Sequence, residues 1–472
     1  MPVVALVPSM FLPDRVIRSQ RVVLADSMRS ASIHVRGGKI IGILDFDDVP
    51  QGCPLDEAGD RVVMPGVVDT HVHINEPGRT EWEGFETATK AAAAGGVTTL
   101  IDMPLNSIPS TTTVAALEAK RHAAEGKCFV DVGFWGGVVP GNVSELPGLA
   151  AAGVFGFKCF LVPSGVAEFQ ASTEANLRIA LPVLARLGVP LLVHAELPGP
   201  IDAASRALTR NRSWTDRVLG RGPDGRAYAT YLATRPKEAE NDAIALCIAL
   251  CREFRVPVHI VHLSSSDALT PLYHARASGL PVTVETCPHY LTLVADEVLD
   301  GATAFKCAPP VRERENREYL WAALAGGLIQ MVVTDHSPSP PAMKRIESGD
   351  FLRAWGGIAS LQIGLAVTWT TAAARGYSLQ QVTEWMCRAP ARLARLGRKG
   401  SIDVGFDADL VVWNPDGEFT VEGRSLFHRH PLTPYEGRRL RGVVERTYLR
   451  GRLVYEREKP IGEPTGHLLS RS

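Results

Sequence analysis

Eight apolar, strand-like runs alternate with helix-like segments between Val67 and about Lys399, and no other feature limits the fold of this chain as tightly. The runs are VVDTHVHI, TTLIDMP, VDVGFWGG, GFKCFLVP, PLLVHAE, PVHIVHLS, PVTVETCP and QMVVTDHS. Between them lie stretches such as GFETATKAAAA, TTVAALEAKRHAAE, TEANLRIALPVLARL and KEAENDAIALCIALCREF. Strands covered on both faces read as continuous apolar runs, and regular alternation with helices is the pattern of a parallel sheet. Eight such units predict an α/β fold, a (β/α)8 TIM-like barrel.

The flanks have a different texture. IRSQRVVLAD, ASIHVRGGKIIGIL and RVVMPG read as short strands, with Gly37-Gly38 as a hairpin turn. DADLVVWNP, GEFTVEG and RGVVERTYLRGRLVY repeat that texture near the other end. The predicted organisation is therefore residues 1–66 and 400–472 joined in one small β-sandwich module, with the barrel over 67–399.

Composition narrows the function classes. There are 50 Lys+Arg against 51 Asp+Glu, a formal net charge of −1, so no overall field favours nucleic acid or an anionic membrane. Eight scattered cysteines in a long chain read as reduced thiols. The uncharged stretch Ala354–Ala374 has the length of a bilayer span, but Gly356, Gly357, Ser360, Gln362 and Gly364 interrupt it, so a buried helix beside the barrel is expected. The N-terminal MPVVALVPSMFLPDRVIRS lacks the pattern of a secretory signal. The expected compartment is the cytoplasm, with a mitochondrial or peroxisomal setting left open. The basic segment GRSLFHRHPLTPYEGRRLRG, with His428 and His430, reads as a solvated loop, or as cover for the barrel mouth or an oligomer contact.

The chemistry sits where the predicted strands end, the side of such a barrel that carries active sites. The first run holds His71-Val72-His73, whose spacing of two puts both imidazoles on one face. His194, His262 and Asp335 stand at the ends of the fifth, sixth and eighth runs. Four histidines and a carboxylate at one end of successive strands point to a metal centre. Lys158 lies within the apolar run FGFKCFLV, where an unpaired ammonium is costly. Burial favours its neutral amine, the form that attacks CO2, and the resulting carbamate is an anion with two oxygens to bridge two metal ions. A hydroxide shared by two such ions attacks an electrophile, and Asp335 shuttles its proton to a leaving nitrogen. Zinc suits these ligands, and Fe, Co, Mn and Ni fit them too. Cys287-Pro288-His289 reads as a loop after the seventh strand, since the ligand set is complete without it.

PGVVDTHVHINEPGR, GFKCFL, HAE, HLSS, ETCPHYL, KCAPPVR and TDHSP follow one another along nearly the whole chain. In this order they resemble the cyclic amidohydrolases of the amidohydrolase superfamily. The resemblance implies a binuclear centre of His71, His73, Lys158, His194, His262 and Asp335, with Lys158 carboxylated. Within that group the chain is most similar to the branch that opens the hydantoin ring of allantoin, a small molecule, to give allantoate. Asn75 stands where dihydroorotases typically place an Arg that holds the substrate carboxylate. Pro163 stands where dihydropyrimidinases place a Tyr. Ala308 replaces a Ser common in the branch. Asn75, Asn106, Ala308 and Gly356, in the Trp355-Gly356-Gly357 loop, are expected at the substrate. A homo-oligomer, dimer or tetramer, is implied as well. The alternatives are a dihydropyrimidinase, hydantoinase or dihydroorotase, and a metal-free scaffold relative, which the intact ligand set disfavours.

Overall fold

The computed structural model describes residues 12–210 and 222–471, so most of the N-terminal segment read for a targeting signal lies outside the described residues. All eight apolar runs form barrel strands. The first three, Val67–Val72, Val97–Asp102 and Asp131–Phe134, pair in parallel in chain order. Past Trp135 the third continues as Gly136–Gly137 and pairs with the fourth, Phe157–Phe160. Leu191–His194, Val258–Ile260, Val282–Thr286 and Met331–Val332 follow in order. The ring closes where Val72 bridges His336 and the His73 N–H donates to the His336 carbonyl at 2.8 Å.

The lower half of the third strand has a different neighbour. There the chain's last described residues run alongside it, with Val132 bridged to Leu468. The Val132 N–H donates to the His467 carbonyl at 3.0 Å, and the Leu469 N–H to the Val132 carbonyl at 2.7 Å. Asp131, buried at that end, pairs with Lys399 at 2.8 Å and with Arg450 at 2.5 Å.

Both chain ends meet in one eight-stranded sheet. Arg452–Glu456, Arg439–Leu449, Leu410–Thr420, Val62–Pro65, Arg15–Val23, Met28–Arg36 and Lys39–Leu44 lie in that order, and Leu55–Glu57 pairs with Arg15–Val23. Gly37 and Gly38 make the expected hairpin with φ of 55° and 79°. Ile17, Ile33, Val63, Leu410, Val412 and Tyr448 gather in an apolar cluster separate from that of the barrel. DADLVVWNP and GEFTVEG, read as two strands, merge into the single strand Leu410–Thr420, whose pairing shifts register between Asn414 and Glu418.

The helices follow their sequence signals. Thr173 caps Glu174–Leu187 in a capping box with Asn176, and Lys237–Phe254 buries Cys247 and Cys251 on its apolar face. The uncharged stretch is helical from the 3-10 turn Leu361–Ile363 through the α-helix Gly364–Ala374, which is largely buried. Among the described residues no helix is long and apolar enough to cross a membrane. Contrary to the solvated-loop reading, His428 is buried and accepts from the Gln362 N–H at 3.2 Å, with its ring 4.8 Å from that of His336. His430 stays exposed.

Candidate metal centre

The barrel strands deliver six ionisable groups to one place. His71 and His73 leave the first strand, Lys158 sits inside the fourth, His194 ends the fifth, and His262 and Asp335 follow the sixth and eighth. Each is largely or wholly buried. Ring centroids lie 5.5 Å apart for His71 and His73, 5.4 Å for His71 and His262, and 4.6 Å for His194 and His262.

The hydrogen bonds set where the histidine protons sit. Glu285 is a buried carboxylate on the seventh strand, and it accepts from Nδ1 of His71. That leaves the Nε2 lone pair of His71 facing Oδ1 of Asp335 at 3.2 Å. Nε2 of His73 stands 3.4 Å from the same oxygen. Glu196 accepts from Nε2 of His194 at 2.8 Å, leaving Nδ1 of His194 as the acceptor nitrogen. Burial, and next the nearby Lys158, hold the His71 pKa well below the usual imidazole range; burial does the same for His262. The neutral His71 ring therefore turns a lone pair toward a carboxylate oxygen, with the His73 ring beside the same oxygen. Acceptors facing acceptors in a buried site call for a cation between them. His71, His73 and Asp335 place ligand atoms within 4.8 Å of one another, close enough to hold a metal ion.

Lys158 supplies the second clue. Its Nζ is fully buried and has no hydrogen-bond partner. Burial pushes its pKa down to about 8, against the pull of Glu285 and Asp335. Cys287, His289 and Asp335 also cluster. Burial keeps the Cys287 thiol well above its ordinary pKa, so it is a neutral and poor ligand. His289 lies in the short helix Pro288–Thr292, not in a plain loop.

Two of the centre's residues have unusual backbones. His262 and Asp335 have φ of 41° and 44°, in the left-handed region that costs a non-glycine residue about 1–3 kcal/mol. Nothing in the residue types announces that strain.

A cavity of about 360 Å³ opens onto the centre. Asn106, Ala308 and Gly356 line it. Asn75 is not among the lining residues; it is buried, with both side-chain polar atoms unpartnered. Trp355 and Gly357 of the Gly356 loop line the cavity too, and Tyr231, Arg235 and Lys306 line it without a role having been read for them in the sequence. Glu285 and Glu196 were in view only as letters of motifs. The available signal was a charge inside an apolar strand run, the same signal that singled out Lys158.

The comparisons with known proteins agree with this geometry. The Amidohydrolase family model matches residues 62–454. An allantoinase of Streptomyces avermitilis is 51% identical over 97% of this chain and 99% of its own. An allantoinase of Arabidopsis thaliana is 43% identical over 96% of this chain and 90% of its own. Among solved structures, the L-hydantoinase (dihydropyrimidinase) of Arthrobacter aurescens superposes with a TM-score of 0.90 at 31% identity, covering 98% of this chain and all of that one.

Proposed function

The chain belongs to the amidohydrolase family, and from that premise we propose that it hydrolyses the cyclic amide bond of allantoin to give allantoate. Similarity to allantoinases over nearly the whole chain supports the substrate. The observation that carries the hydrolytic reading is the pair of imidazole nitrogens of His71 and His73 meeting one Asp335 oxygen beside the unpartnered Lys158 amine.

The residues fit a divalent metal pair. His71, His73, His194, His262, Asp335 and Lys158 are the groups that would hold it, with zinc as the ion that nitrogen and oxygen ligands suit. Bound there, the ions supply Lewis acidity, polarising a carbonyl oxygen and acidifying water. The Lys158 amine adds to CO2; a C–N bond forms, the amine proton leaves, and an anionic carbamate remains. Asp335 takes a proton from the attacking water and delivers it to the ring nitrogen as the C–N bond breaks. Glu285 keeps the His71 proton on Nδ1, and Glu196 keeps that of His194 on Nε2. Asn106, Ala308 and Gly356 border the bound ring. The same reading includes a dimer or tetramer of identical subunits. It also includes the cytoplasm, which suits eight unpaired thiols.

The test is a panel of allantoin, hydantoin, dihydrouracil and dihydroorotate with metal-replete protein, followed by metal analysis. Opening of allantoin is expected, with up to two ions per chain. No opening of allantoin overturns the substrate, and less than about one ion per chain favours the scaffold alternative.

A further inference from the structure

The cavity holds one cation that the hydrolytic centre does not use. Three basic side chains line it: Lys158, Arg235 and Lys306. Lys158 belongs to the centre. Arg235 is ion-paired to the buried Glu196. Lys306, on the connection after the seventh strand, is 9% exposed, and it has no carboxylate partner among the described residues. Asp350 acts on it only at longer range.

Its position is well fixed. One N–H donates to the Ala354 carbonyl at 2.6 Å, and Nζ stands 4.8 Å from the centroid of the Tyr231 ring. The Tyr231 hydroxyl in turn donates to the Cys307 carbonyl at 2.6 Å. The Lys306 carbonyl accepts from Lys344 at 3.2 Å and from the Gly357 N–H at 2.9 Å. An ammonium has three donors, and two are left with no hydrogen bond among the described residues. A donor held in a half-closed cavity is unfavourable until a ligand acceptor meets it.

Allantoin differs from plain hydantoin by one exocyclic ureido group, whose carbonyl oxygen is a strong neutral acceptor. We propose that Lys306 donates a hydrogen bond to that ureido oxygen and so determines the preference for ureido-bearing rings. This rests on the proposed activity. A site that holds a fixed donor rejects the ligand that lacks the acceptor, because the donor is then buried unpaired. The ring is opened by groups at the strand ends, whereas Lys306 and Tyr231 come from the connections after the seventh and fifth strands. Reaction and selection thus use different parts of the chain.

The test compares the metal-loaded wild type with Lys306→Met, which keeps the stem and removes the donors and charge. For allantoin, kcat/KM is expected to fall about 30-fold, chiefly through KM, the scale of a lost charge-assisted hydrogen bond. For unsubstituted hydantoin the loss is expected to stay below about threefold. Calorimetric dissociation constants for both ligands in an Asp335→Asn background give the same contrast without turnover. A drop of tenfold or more in the allantoin-to-hydantoin preference supports the proposal. A smaller drop overturns it, and equal losses on both ligands make Lys306 only the tether of the Ala354–Gly357 loop. A wild type that fails to open allantoin overturns the proposed activity and this inference together. An active wild type beside a variant that keeps the wild-type preference removes the role of Lys306 alone.

Discussion

Lys158 shows how far one residue can be read from its neighbours. A lysine in the run FGFKCFLV is an anomaly in any sequence, and burial converts the anomaly into chemistry by favouring the neutral amine. Lys158→Ala removes the amine on which the proposed carbamate would form. Activity should fall at least about a hundredfold, and bound metal should drop with it. Acetate or another short carboxylic acid should restore part of the rate by occupying the vacated space. Wild-type activity in the variant, measured beside metal content, would refute the role. The four histidines and Asp335 were legible because strand ends in an eightfold β-α pattern share one side of the barrel. Glu285 was not, although it touches His71, His259 and the His262 backbone. Its charge inside the apolar run PVTVETCP was a local signal, but its partners depend on register between strands far apart in sequence. Asn75 shows the converse: its position in HVHINEP suggested substrate contact, yet it is absent from the cavity wall.

At the scale of elements, long periodic segments were legible and connections were not. Helix Lys237–Phe254 coincides with the stretch read from the sequence, because its apolar residues recur at helical spacing. The connection from Ser337 to Gly357 has no such period. It is pinned by Lys344, a buried lysine whose Nζ donates to the carbonyls of Lys306 and Gly357. Burial lowers its pKa from 10.5 to about 7, with Cys307 opposing and Lys306 adding to the shift. In the unfolded chain it keeps the ordinary value, so between those two pH values the unfolded state holds more protons. Stability from this group is full above 10.5 and is lost as pH falls toward 7. Lys344→Met abolishes that dependence. The melting temperature of the variant minus that of the wild type should therefore decrease as pH rises from about 7 to 9, by no more than about 1.4 kcal/mol of stability per pH unit. A flat or rising difference would mean that Lys344 is not buried as an uncompensated base.

For the whole molecule, barrel and terminal sheet are bound together at the end of the barrel away from the candidate metal centre. Lys399 lies between Asp131 of the third barrel strand and Asp409, which directly precedes strand Leu410–Thr420 of the terminal sheet, at 2.8 and 2.6 Å. Arg450 adds a second bond to Asp131 and holds the Thr465 carbonyl at 2.8 Å. From there residues 466–471 fill the seam beside the third strand, bonding Cys128, Val132 and Gly153 through the backbone. The alternation that predicts a barrel says nothing about this seam, because GHLLSR is too short and too polar to register as a strand. Its pairing comes from a strand edge left open where the third and fourth strands diverge. An open edge inside a barrel leaves backbone donors and acceptors unpaired and is a template for misassembly. Deleting residues 465–472 should thus lower the thermal midpoint by roughly 3–6 °C, since several backbone hydrogen bonds at about 1 kcal/mol each are lost. The C-terminal strand ends that carry His71 and Asp335 are untouched by the deletion, so kcat/KM at 25 °C should stay within about threefold of the full chain. Calorimetry and steady-state kinetics on the same preparation separate the two effects. An unchanged midpoint would show that the seam is stable without its inserted segment.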